Sequence, residues 1–316
     1  MVRVSGSTTR RLDACVWITD SEPFIIQTVG GTPGPMTNRP ILITGATGRT
    51  GRRITDLVAA RGLPVRTASR QGDPPFDWHD RSAWDALLDG CGAAYLCYSP
   101  DLALPGADEV IAAFAERAVA HGVQRLVLLS GRGEEGAQRC EQLVLAASPA
   151  ATVVRCAWFQ ENFSEHFLRD HVLAGRIAVP AGTVREPFVS VDDVADVATL
   201  ALIGDPLAAQ VLELTGPQSI TFGEAAEILS RAAGREVTHV EVTPEELVAE
   251  LVAAGIDPED ASGLAWLFEE VLDGRNSAVT TTIEGVLGRP ATSFETYAER
   301  AGVTGAWSTP LEEVKA

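Results

Sequence analysis

The chain has 316 residues, nearly half of them apolar and about a fifth charged, with a formal net charge of −18. That is enough to bury a sizeable core and is the composition of neither a disordered nor a fibrous chain. So acidic a surface repels phosphate backbones and anionic lipid headgroups, which excludes nucleic acid and membrane as expected partners.

Five scattered cysteines, Cys15, Cys91, Cys97, Cys140 and Cys156, have the spacing of neither a zinc site nor a disulfide framework and read as reduced thiols. No apolar run reaches bilayer-spanning length and no secretory pattern opens the chain, so a cytoplasmic location is expected. Residues 1–38 show no sustained hydrophobic period and read as a poorly structured N-terminal extension.

From Pro40 onward apolar strands alternate with helices, the order that builds a parallel sheet covered on both faces. Strands are predicted at 41–44, 64–69, 93–97, 125–130, 152–155 and 211–214, with helices near 51–61, 81–89, 107–121, 136–147 and 191–202. After Gly216 the pattern turns helical. Thr221 with Glu224 forms a capping box, Thr243-Pro244-Glu245 opens a second helix, and further helices follow near 261–272 and 294–301.

The fold class that follows is α/β, a doubly wound parallel sheet with a smaller, mostly helical C-terminal lobe. The dinucleotide-binding domain is placed at 39–216 and the substrate-covering lobe at 217–309, with a contribution from about 159–189 and a tail at 310–316. Asp192, Asp193 and Asp196 open a helix, where carboxylates favour the dipole, so they are read as caps and no metal is expected.

The run Ile41-Leu42-Ile43-Thr44-Gly45-Ala46-Thr47-Gly48-Arg49-Thr50-Gly51 passes from strand to helix through glycines three apart. Missing Cβ atoms permit a tight turn, close approach of a pyrophosphate and close helix–strand packing, and the helix N-terminus supplies N–H groups. Thr47, Arg49 and Thr50 can add donors or charge. At the end of the second strand, where an NAD site usually carries an acid, stand Ser69 and Arg70. A guanidinium there suits a 2′-phosphate, so NADP(H) is expected over NAD(H).

These glycines, together with Phe76-Asp77-Trp78, Leu129-Ser130-Gly131 and Arg155-Cys156-Ala157-Trp158-Phe159-Gln160-Glu161-Asn162, resemble the NmrA-like atypical short-chain dehydrogenases over roughly 40–307. Ser130-Gly131-Arg132-Gly133-Glu134-Glu135, Leu214-Thr215-Gly216-Pro217 and Leu272-Asp273-Gly274-Arg275-Asn276 look most like bacterial relatives of agroclavine and festuclavine dehydrogenases. The resemblance implies a Rossmann fold, with Asp77 and Trp78 against the adenine and Tyr98 and Ser99 near the nicotinamide ribose. It also implies Trp158, Phe159 and Asn162 near the nicotinamide and substrate.

The chain departs from the short-chain dehydrogenase pattern in one respect. Its single lysine is Lys315 and its tyrosines are Tyr95, Tyr98 and Tyr297, so no Tyr-x-x-x-Lys pair can protonate a carbonyl oxygen. Arg139-Cys140-Glu141 falls where such a pair would stand. Ser130, Tyr98 and His166 are the candidate proton donors, and Glu161 and Glu165 the candidate attraction for a cation.

The expected activity is NADPH-dependent reduction of a small, largely apolar electrophile of iminium, quinone or enone type by direct hydride transfer. An aromatic pocket around Trp158 and Trp266 would close over it. The alternative is a non-catalytic NADP(H)-binding redox sensor of the NmrA type with a protein partner.

Overall fold

The computed structural model describes residues 39–204 and 206–308. The expectations for residues 1–38 and the tail, and with them Cys15 and Lys315, lie outside the described residues. In chain order the first half contains β1 (Ile41–Thr44), α1 (Arg49–Ala60), β2 (Val65–Ala68), α2 (Trp84–Leu88), β3 (Ala93–Leu96), α3 (Ala107–Ala120), β4 (Arg125–Gly131), α4 (Glu135–Ala147) and β5 (Thr152–Cys156). There follow α5 (Asn162–Glu165), α6 (Leu168–Leu173), β6 (Arg176–Val179), β7 (Arg185–Glu186), α7 (Val191–Ile203) and β8 (Val211–Leu214). The chain continues through β9 (Ile220–Thr221), α8 (Phe222–Ala233), β10 (Thr238–Glu241), α9 (Pro244–Ala253), α10 (Pro258–Val271), α11 (Thr282–Leu287) and α12 (Phe294–Val303).

The six expected strands form one parallel sheet in the order β2-β1-β3-β4-β5-β8. β1 and β3 are buried along their whole length, as uninterrupted apolar strands covered on both faces must be, whereas the edge strand β2 is mostly half-buried. Phe114 of α3, Leu126 and Leu128 of β4 and Cys140 of α4 pack on one face. Ile54 of α1, Val127, Val154 and Val194 of α7 pack on the other. In α1 the buried positions Gly51, Ile54 and Val58 recur at helical spacing and form the stripe that lies on the sheet.

Because β2 and β3 lie on opposite sides of β1, the winding reverses there and leaves a crevice at the carboxyl ends of β1 and β3. The Thr44 hydroxyl bridges the two strands at that point. It donates to Tyr95 O at 2.9 Å and accepts from Cys97 N at 2.8 Å.

A second apolar core gathers Phe163 and Phe188 with Phe222, Phe268 and Phe294, so residues that leave the sheet after β5 join those that follow β9. The expected capping box of Thr221 with Glu224 is present, and the helix expected to open at Thr243 begins with a second one, Thr243 with Glu246. The parallel pair β6–β10 and the two-residue pair β7–β9 were not expected. Arg176-Ile177-Ala178-Val179 is too short to show a period, and its partner lies sixty residues away. Among the described residues no helix is long and apolar enough to cross a membrane.

Candidate active site

β1 ends in a turn that only glycine can make. Gly45 has φ +62°, and a Cβ on it would stand 3.3 Å from the Cys97 Cβ and Sγ. Gly48 donates its N–H to Gly45 O at 2.8 Å. A Cβ on Gly51 would be 2.7 Å from Gly45 C and 2.9 Å from Ala46 Cα, with the Gly45 oxygen closer still.

The helix that follows is open at its positive end. Gly48 is its N-cap, with no capping side chain and no acid in the first turn. By contrast α7, α8 and α9 are capped by Ser190, Thr221 and Thr243 and carry acids there. The first N–H groups of α1 are therefore left without a side-chain cap, a chemistry that fits a pyrophosphate.

The flanking side chains are distributed unevenly. Thr47 is exposed and Thr50 buried, the latter against Tyr95 and Cys97. Arg49 donates to Asn162 Oδ1 and lies over the Phe159 ring, 5.4 Å from its centroid, so its charge is directed at α5 and the end of β5. Ser69 O accepts from Gly72 N and Phe76 N, both at 2.9 Å, and so shapes the loop after β2. Arg70 beside it is exposed, with no ion pair or hydrogen bond among the described residues. Asp77 is exposed, while Trp78 is buried among Phe76, Phe114 and Tyr98. Ser99 is exposed and Tyr98 half-buried, and burial pushes the Tyr98 phenol up.

At the end of β4, Ser130 is not a free donor as expected. Its hydroxyl donates to Glu141 Oε1 at 2.6 Å, and Arg155 holds the same buried carboxylate through Nε at 2.9 Å and through Nη2. In the sequence Glu141 shows only as part of the segment where the Tyr-Lys pair is missing; nothing in the spacing shows that α4 and β5 bring it between Ser130 and Arg155. His166 is exposed beside Phe167.

Trp158 is half-buried. Its backbone N–H donates to Glu186 Oε1 at 3.1 Å, and its aromatic neighbour is Phe268, 4.5 Å between centroids. Trp266 was expected in this role and does not fill it. It is 42% exposed because it precedes Phe268 by two residues, which puts the two on different faces of α10. Phe163 is fully buried in the second core.

Glu161 and Glu165 are both engaged within the protein. Glu161 accepts from Ser190 Oγ at 3.1 Å and Val191 N at 2.8 Å, and Glu165 pairs with Arg52 and Arg53. Both line a cleft of about 360 Å³ with Arg53, Tyr297 and Arg300. Asp193 and Asp196 pair with Arg289.

Burial pushes the carboxyls of Glu161 and Glu186 up to about 7. In the unfolded chain they titrate near the usual 4.3. The folded state thus keeps two protons that the unfolded chain releases, and this stabilisation is present at low pH and lost as pH rises through about 7. From these two groups stability should fall by several kcal/mol, on the order of 3 each, between about pH 4.5 and 7.5. Glu186→Gln should flatten the curve in a denaturation series over that range; an unchanged slope would contradict the assignment.

No family model matches the chain. It is 32% identical over 274 residues to the uncharacterized oxidoreductase YesF of Bacillus subtilis, covering 83% of this chain and 95% of that one. It is 30% identical over 290 residues to an agroclavine dehydrogenase of Claviceps fusiformis, covering 81% and 95%. The chain belongs to the NmrA-like atypical short-chain dehydrogenase/reductase family.

The family is one of oxidoreductases, and the branch resembled by the 130–135, 214–217 and 272–276 motifs is the one these relatives occupy. Among solved structures, a Citrobacter triphenylmethane reductase complexed with NADP(H) has the same fold, with TM-score 0.66 at 21% identity over 83% of this chain and 99% of that one.

Proposed function

We propose that this oxidoreductase uses NADPH to reduce a small, largely apolar electrophile of iminium, quinone or enone type. The observation that carries the reading is the uncapped, acid-free N-terminus of α1 standing over a turn that excludes Cβ atoms at Gly45 and Gly51.

The N–H groups of α1 would hold the pyrophosphate, and Arg70 the 2′-phosphate, its guanidinium being exposed and uncommitted among the described residues. Asp77 and Trp78 would lie against the adenine, and Tyr98 and Ser99 near the nicotinamide ribose. A bound NADPH supplies a hydride. Trp158, fixed by Glu186 and Phe268, and Phe159, fixed under Arg49, offer the apolar surfaces that orient an acceptor and exclude water. The relative named as an agroclavine dehydrogenase supports oxidoreductase chemistry on a small molecule.

Titration with NADPH and NADH tests the cofactor half. Arg70→Ala should weaken NADPH roughly 10- to 100-fold, the value of one charge-assisted bidentate contact, and lower the NADPH-over-NADH preference equally. Equal loss for both cofactors would remove Arg70 from the 2′-phosphate. Oxidation of NADPH by a panel of cyclic iminium ions, quinones and enones tests the other half. Tight binding without turnover on any of them would favour the redox-sensing alternative, for which the commitment of Ser130 to Glu141 is the supporting observation.

A further inference from the structure

The carboxyl of Glu134, which neither the cofactor site nor the Ser130 network uses, stands above the end of β4. Glu134 is 8% exposed and accepts no hydrogen bond from any described residue. Its carboxyl lies over Gly131, where a Cβ would collide with it. Gly131 is the last residue of β4 and pairs with Cys156 of β5, so the carboxyl stands on the edge of the sheet that also carries the glycine turn, Tyr98 and Trp158.

The loop that presents Glu134 is anchored at both sides. Arg132 N donates to Cys156 O at 3.0 Å, and the Arg132 guanidinium donates to Asn276 O at 2.5 Å and Ala278 O at 2.8 Å while pairing with Glu213. Asn276 Nδ2 returns a bond to Arg132 O at 3.3 Å and donates to Val271 O at 3.0 Å. A largely buried carboxyl with no protein hydrogen-bond partner, on a loop anchored at both sides over the end of a central strand, is a group open to a ligand.

We propose that Glu134, with Asp101 beside it, is the general acid of this enzyme, giving a proton to the oxygen of a quinone or enone acceptor. The proposal rests on the reductase reading and narrows its substrate class. In the step, two electrons leave NADPH as hydride and form a C–H bond at the acceptor carbon. The π bond breaks toward oxygen, the Glu134 O–H bond breaks as the new O–H bond forms, and the Glu134 carboxylate regains its proton from solvent past Asp101.

The surroundings keep the acid in its protonated form. Burial first, then the charges of Asp101 in the β3–α3 loop, Glu141 on α4 and Glu270 on α10, hold Glu134 well above the usual carboxylate range. Burial raises Asp101 also. Of the cations nearby, Arg155 is bound to Glu141, Arg132 to Glu213, and Arg275 lies 3.8 Å from Glu270 and closer to Asp273. The remaining titratable neighbour is the Cys156 thiol, which burial pushes up. Low pH therefore favours the active form, and kcat/KM should fall as pH rises through the Glu134 titration.

Two measurements decide it. The wild-type-minus-Glu134→Gln infrared difference spectrum of the full chain at pH 7, without cofactor, should show a carboxylic-acid C=O band, the contributions of Glu161 and Glu186 being common to both proteins and cancelling; a difference spectrum without that band overturns the proposal whether or not the enzyme turns over. In steady-state assays with NADPH, Glu134→Gln should lower the ratio of quinone to cyclic-iminium turnover about 100-fold, because iminium reduction takes no proton. It should also abolish the alkaline limb of the quinone profile.

An unchanged ratio alongside wild-type turnover overturns the acid but leaves the reductase standing. NADPH binding with no turnover on any acceptor overturns both. Should Glu134→Gln not fold, Asp101→Asn should move the alkaline limb to lower pH by removing a neighbouring negative charge, and a limb that stays in place counts against the proposal.

Discussion

Gly51→Ala should yield a protein destabilised by about 3 kcal/mol or more that binds NADPH too weakly to saturate. The added methyl would press on Gly45 C at 2.7 Å and Ala46 Cα at 2.9 Å, and on the Gly45 oxygen more closely still. These are backbone atoms, so no rotamer change relieves the clash. α1 would have to move away from β1, opening the turn and displacing the N–H groups that α1 presents to a phosphate.

Gly48→Ala is the informative comparison, because its Cβ would stand 3.1 Å from the same oxygen at an ordinary φ of −77°. It should cost stability less and binding comparably, since it narrows the approach to the pyrophosphate without separating helix and strand. Urea denaturation with parallel NADPH titration separates the two effects. A Gly51→Ala protein with wild-type stability would show that the packing of α1 on β1 is looser than the structure has it.

The second large effect is expected at the network that stands where the Tyr-Lys pair is missing. Arg155→Met should cost about 3 kcal/mol or more, because it leaves the Glu141 carboxylate, 3% exposed, without its counter-charge and with only the Ser130 hydroxyl. The loss belongs to the stranded charge and not to the value of the pair. The double variant Glu141→Leu/Arg155→Met should therefore recover most of it, as replacing both members of a buried pair by apolar groups commonly does. A single variant that loses less than about 1 kcal/mol would mean that water reaches Glu141 and screens it.

These expectations also bear on chemistry. Freed from Glu141, Ser130 becomes an available hydroxyl at the end of β4, so Glu141→Leu tests whether its commitment silences it as a donor. Ser130, which binds Glu141, and Glu134 lie one and three residues from Gly131 at the end of β4, yet the two carboxyls have opposite environments: that of Glu141 is bound by Ser130 and Arg155, and that of Glu134 has no hydrogen-bond partner among the described residues.

The order of the six sheet strands and of their crossover helices between Pro40 and Leu214 was written in the sequence because each parallel strand is a short apolar run closed by a turn and the crossover helices carry apolar stripes, whereas α5, α6, β6 and β7 were not. The cofactor turn was equally legible, since Gly45, Gly48 and Gly51 are close in sequence and the constraint on them is local. What the chain alone did not reveal is every feature whose partners are distant in sequence: Glu141 between Ser130 and Arg155, Glu161 on the N-terminus of α7, Phe268 in place of Trp266 beside Trp158, and Glu134 folded back over Gly131. A carboxylate's role depends on whether burial leaves it a partner, and a helical aromatic's role on which side of its helix meets the sheet. Neither is a property of spacing along the chain, so local pattern determined the scaffold and the phosphate cradle, and tertiary packing decided which acids and rings face the crevice.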